Sequence, residues 1–116
     1  MTALNYLVQG LIERPGVTSA SVVSPDGLSI HHAGAVADPE ALAALTVTLA
    51  RDAARLADAS SSGGLTRIVL ECGDGLALLG LVRGGSWLLV LTRPDADIGQ
   101  LLYDLRQEGP ALAAQL

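Results

Sequence analysis

The chain has no lysine and a single cysteine, and its seven basic residues face twelve acids for a net charge of −5. Without lysine there is no G-x-x-x-x-G-K-[ST] phosphate loop of the Walker type. The acidic balance argues against a nucleic-acid footprint and against an anionic membrane surface. Cys72 alone excludes an internal disulfide and any multi-cysteine zinc site. No apolar run approaches the ~18 residues of a spanning helix. The opening MTALNYLVQGLIERPG lacks a cationic start and carries Asn5 and Gln9, a poor signal peptide. These absences point to a soluble, cytoplasmic protein with no nucleic acid and no membrane insertion. Alanine and arginine without lysine also fit a GC-rich bacterial genome.

What is present is enough for one core. Half of the 116 residues are hydrophobic, and the length suits one domain spanning 1–116. Thr2 can cap a first helix with Leu4, Leu7, Val8, Leu11 and Ile12 on one face, stopped at Arg14-Pro15-Gly16. Val17 to Val23 reads as a strand, Pro25-Asp26-Gly27 as a turn, and Leu28 to Ala33 as the returning strand. Asp38-Pro39-Glu40 starts a helix that should run to about Ala59 and dissolve in the Ser60 to Gly64 loop. Three strands follow: Thr66 to Cys72, Leu76 to Val82 and Trp87 to Thr92. The last two are apolar on both faces, as covered central strands are. Pro94 to Asp97 starts a final helix with Ile98, Leu101, Leu102 and Leu105 inward, and Gly109-Pro110 should kink or end it.

The order α-β-β-α-β-β-β-α, with short turns between strands, predicts a layered α/β fold. A five-stranded antiparallel sheet would carry the central helix on one face and the first and last helices on the other.

Chemistry is hard to assemble from these residues. GGSWL fails the nucleophile-elbow pattern because Leu88 stands where glycine is needed. His31 and His32 are adjacent on a strand, so they point to opposite faces and suit an edge meeting solvent better than a metal. Cys72 reads as a small buried hydrophobe. Glu71 and Asp74 read as a solvated turn, Gly73-Asp74-Gly75 lacks the ligands of a calcium loop, and Trp87 reads as core or interface. Asp26 reads as a turn former rather than a catalytic acid. No catalytic, cofactor-binding or metal-ligating residue is therefore expected.

The central helix has two apolar stripes. Leu42, Leu45, Leu49, Ala53 and Leu56 form one, which should lie on the sheet. Ala43, Val47, Ala50, Ala54 and Ala57 form the other, about 100° around, with no second layer in so small a chain. Small side chains allow close helix approach, so a second copy is the expected occupant. The strand Thr66 to Cys72 should lie at a sheet edge, where Arg67 and Glu71 act as gatekeepers or pair across a two-fold axis.

The ordered set RPGVTSASVVSPDGLSI, DPEALAALTVTLARDAARLA, IVLECGDGLALLGLV and WLLVLTRPDADIG, closed by an amphipathic helix, resembles the roadblock family of dynein light chains and bacterial MglB-like proteins. The resemblance spans nearly the whole chain. It implies a homodimer joined edge to edge through the third strand and the central helix, no active site, and a role as platform or regulator for a small Ras-like GTPase. On this reading the dimer interface takes Ala43, Val47, Ala50, Ala54, Ala57, Arg67, Val69 and Glu71. The partner would meet Glu40, Arg51, Arg55 and Asp58. Arg51 and Arg55 could reach a phosphate as an arginine finger does; the plainer reading pairs them with Glu40, Asp52 or Asp58 along a solvated face. Two other functions fit the same layers: a purely structural dimeric assembly module, and a small-ligand sensor domain, which would need a concave pocket with placed polar groups.

Overall fold

The computed structural model describes residues 3–115. Thr2, the expected first cap, lies outside the described residues. The elements are α1 (Ala3–Ile12), β1 (Val17–Val23), β2 (Ser29–Gly34), α2 (Pro39–Ala59), β3 (Arg67–Cys72), β4 (Gly75–Leu81), β5 (Trp87–Thr92) and α3 (Ile98–Gln115). A single 3₁₀ turn at Arg83–Gly85 joins β4 to β5. The expected order holds throughout.

All five strands form one antiparallel sheet in the order β2-β1-β5-β4-β3. The three hairpin pairings follow from short turns; the β1–β5 pairing closes the sheet across the α2 crossover. The β1–β2 turn shows how. Ser24 N–H donates to Leu28 O at 2.8 Å and Gly27 N–H to Ser24 O at 2.9 Å, with Gly27 at φ +83°. The side chain that accepts a backbone bond there is Ser24, from Leu28 N–H at 3.1 Å. Asp26 is exposed and makes no hydrogen bond among the described residues, as a plain turn former would.

Helix α2 starts as its residues demand. Asp38 accepts from Ala41 N–H at 3.1 Å, and Pro39 fills a position whose N–H would be an orphan. Its C-terminus closes through Ser60 N–H to Leu56 O at 3.0 Å. Helix α3 departs from expectation. It does not end at Gly109-Pro110 but stays helical to Gln115. Proline removes one intrahelical bond and crowds the preceding turn, a local penalty rather than an absolute stop.

The sheet separates two apolar clusters. On one face Leu4, Val8 and Leu11 of α1 and Leu101 and Leu105 of α3 enclose Ala20, Val22, Leu78, Leu88 and Val90. On the other face Val23, Leu79, Trp87 and Leu89 meet Ala43 and Ala50 of α2. The helices therefore lie as expected, α1 and α3 on one side and α2 alone on the other.

Candidate interaction surface

At about 100° per residue, Ala43, Ala50 and Ala57 lie within roughly 40° of one another on α2. This is the line that faces the sheet: Ala43 is 1% and Ala50 4% accessible. Thr46 is buried beside them, its hydroxyl donating to Leu42 O at 2.8 Å. The expected roles of the two stripes are thus exchanged only in part: Ala43 and Ala50 face the sheet, Leu42 and Leu49 pack against the same cluster, and Leu45 and Leu56 stay outside. The sheet already presents bulky Leu79, Trp87 and Leu89, and small helix residues let α2 settle closely on them at interior density. Ala43 and Ala50 are consequently covered by their own chain, and Val47, Ala54 and Ala57 are half-buried at the border. The leucines are what remains outside: Leu45 is 64% and Leu56 71% exposed, with Leu42 and Leu49 half-buried.

Strand β3 forms the edge beyond this helix and pairs only with β4. Val69, Leu70 and Glu71 are exposed and Arg67 is half-buried. Cys72, expected to be buried, is also exposed. Ile68 packs on the α2-side cluster, but toward the β3–β4 turn the edge strand outruns its cover. The opposite edge differs, since β2 is packed by both α1 and α2.

Glu40, Arg51, Arg55 and Asp58 are all exposed, on the flank of α2 opposite the leucines. Arg55 Nη1 lies 3.8 Å from Asp52 Oδ1, an exposed pair of the expected i,i+3 kind. Arg51 makes no ion pair among the described residues. A groove of about 270 Å³ runs below it, lined by Pro25, Val47, Ala54, Leu81 and Trp87.

Other polar groups are brought together without forming a reactive centre. Ser21 and His32 are cross-strand partners, a pairing that only the observed hairpin register reveals. Ser21 Oγ lies 2.7 Å from His32 Nδ1, and His32 Nε2 lies 3.0 Å from Gly34 O. A carbonyl only accepts, so Nε2 donates to Gly34 O, and the other ring nitrogen is left to the serine hydroxyl. Ser21 is buried, out of reach of a substrate. His31 stands opposite Val22, so it points to the other face. Among the described residues no three His, Cys, Asp or Glu side chains could hold a metal ion. Trp87 is buried in the α2-side cluster.

A second cleft, of about 330 Å³, opens where the α1–β1 and β5–α3 turns meet. Its arginines are already engaged. Arg14 donates to Asp104 of α3, and Arg93 Nε lies 3.5 Å from Asp95 Oδ1. The Arg14 hydrogen bond holds the Asp104 carboxyl below its ordinary value of 3.8 against the opposing effect of desolvation, helped by Gln100, whose Nε2 donates at 3.0 Å.

The described residues thus form a three-layer domain with an open sheet edge and an exposed leucine flank. The family is then shown directly. The Roadblock/LC7 domain model matches residues 4–92, and the chain belongs to that family. A Roadblock/LC7 domain from Streptomyces avermitilis is similar at 27% identity and TM-score 0.83, with 92% of each chain covered. MglB of Myxococcus xanthus matches at 18% identity and TM-score 0.89, covering 98% of this chain and 94% of that one. An MglB described as having a tetrameric arrangement matches at 16% and 0.82, covering 94% and 84%. Among curated proteins none matches. No helix among the described residues is long and apolar enough to cross a membrane.

Proposed function

We propose that this chain is a single-domain, non-enzymatic, cytoplasmic platform that self-associates and binds a small Ras-like GTPase. The observation that carries the reading is exposed apolar surface on α2 (Leu45, Leu56) together with an unpaired strand edge that exposes Val69 on one face of the sheet and Leu70 on the other. Such a surface favours a second copy, and an unpaired edge is a pairing template. Family membership and the tetrameric arrangement ascribed to one MglB support the same reading. The interface it uses is the leucine flank with Arg67, Val69 and Glu71, rather than the covered Ala43 and Ala50.

Two copies joined this way set Glu40, Arg51, Arg55 and Asp58 twice around one axis. A monomeric GTPase cannot obey that symmetry, so one GTPase per dimer is the expected stoichiometry. Sedimentation equilibrium at micromolar concentration should give a dimer, and Leu45→Glu with Leu56→Glu should give a folded monomer. Pull-down with nucleotide-loaded Ras-like GTPases then tests the partner, and reversing Arg51 and Arg55 to glutamate should weaken capture. A clean wild-type monomer overturns the self-association. Failure of every GTPase to bind leaves a purely structural assembly module as the better reading.

A further inference from the structure

We propose that the groove beside Arg51 is a docking site for a partner-protein segment carrying a bulky apolar side chain next to a carboxylate. Its occupant need not be a GTPase, so the inference goes beyond the platform reading.

The groove is built by size differences. Ala50 and Ala54 are too small to fill the space between α2 and the strand ends, so Leu81 stays 46% exposed although Trp87 beside it is buried. Pro25 and Gly85, from two different turns, close the far wall. Gly85 sits at φ +80°, and a methyl there would lie 3.4 Å from Pro25 Cγ, in ordinary contact, so the two turns meet along this wall. The volume, about 270 Å³, falls just below the ~300 Å³ at which small-molecule pockets begin. An open space of that size suits one or two inserted side chains better than an enclosed cofactor.

Charge selects among apolar occupants. Among the described residues Arg51 is the sole charged one lining the groove, and it has no ion pair there. Arg14, Arg55 and Arg93 each have a carboxylate of their own. An apolar segment laid over the groove strips water from the Arg51 guanidinium, which is costly unless a counter-charge arrives with it. A carboxylate on the incoming segment supplies that charge through short, directional bonds. A basic segment would be repelled, and a neutral one would leave Arg51 stripped and unpaired.

A displayed library of random heptapeptides panned on the whole protein tests this. Enriched peptides should carry Leu, Phe, Met or Trp within two residues of Asp or Glu. Trp87 is the chain's one tryptophan and lines the groove, so its emission reports occupancy directly. Binding of the best peptide should shift that emission. Arg51→Ala should weaken binding about tenfold or more at low salt, and Arg51→Lys less. Leu81→Ser, at an exposed position, should remove the apolar seat and lower affinity while far-UV circular dichroism stays unchanged. Enrichment of basic peptides, or binding that ignores both Arg51→Ala and Leu81→Ser, overturns the proposal. So does a change of oligomeric state in Leu81→Ser without peptide, which would make a second copy the occupant. GTPase capture that survives Leu81→Ser while peptide binding is lost separates this groove from the GTPase surface.

Discussion

The two faces of the sheet are finished differently. On the α1/α3 face, leucines and valines from two helices close over Ala20, Val22, Leu78, Leu88 and Val90. On the α2 face the bulk comes from the sheet, as Leu79, Trp87 and Leu89, and the helix answers with alanine. One helix cannot cover five strands. It leaves leucines on one flank, a groove on the other and a strand edge beyond. Both faces bury apolar surface, but on the α2 face the helix's own Leu45 and Leu56 stay outside. Where the big residues sit outside, the molecule has surface to offer another protein.

This contrast is most easily broken with matched leucines. Leu78 is 1% accessible in the closed cluster, and Leu45 is 64% exposed. Leu78→Ala should cost about 2–5 kcal/mol, the transfer loss plus a cavity. Leu45→Ala should stay within about 0.5 kcal/mol of wild type for the isolated fold. Urea midpoints, read at concentrations low enough to dissociate assemblies, compare the two. Equal costs would mean that α2 turns its leucines inward after all.

Ala50→Leu sharpens the same point from the other side. If α2 approaches the sheet through alanine, the added methylenes have no space, and overpacking should cost about 1–3 kcal/mol. A neutral or stabilising result would mean the contact is loose. Asp38→Ala is smaller, about 1 kcal/mol, because it removes one cap from an otherwise unchanged helix; thermal melts monitored by circular dichroism would register it.

Much of this architecture was legible in local patterns. Asp38-Pro39, the Pro25-Asp26-Gly27 turn and the apolar runs of β4 and β5 each carry their own geometry, and the element order follows. The stripes of α2 pack otherwise than hydropathy alone suggests, for a physical reason. Hydropathy ranks leucine above alanine for burial, whereas the sheet beneath selects for size. Cys72 is exposed: alternation along β3 shows which side a residue points to, not whether anything covers that side. Pro110 removes one bond from a helix that otherwise continues, so α3 runs past it. The Ser21–His32 contact and the groove had no local signal at all. The first needs the hairpin register, and the second needs two turns brought to one helix flank.

The smallest expected effect lies on the closed face, where Arg14 and Gln100 hold Asp104. The carboxylate is bound in the folded state, so its pKa there is lowered from 3.8. A depressed folded pKa means the unfolded chain takes up the proton first as pH falls. The contribution to stability is therefore fully present above the unfolded value. It fades as pH drops through 3.8 and is gone below the folded pKa. Because the pair is only part-buried, salt should weaken it. Many carboxylates titrate in the same window, so the difference between wild type and Asp104→Asn is the quantity to follow. Wild type should melt higher at pH 7, and the gap should close toward pH 2 and narrow in 1 M salt. A gap that stays constant with pH would place the role of Asp104 in packing. Were the gap to widen on acidification, the carboxyl would be held protonated, and the Arg14 contact could not be an ion pair.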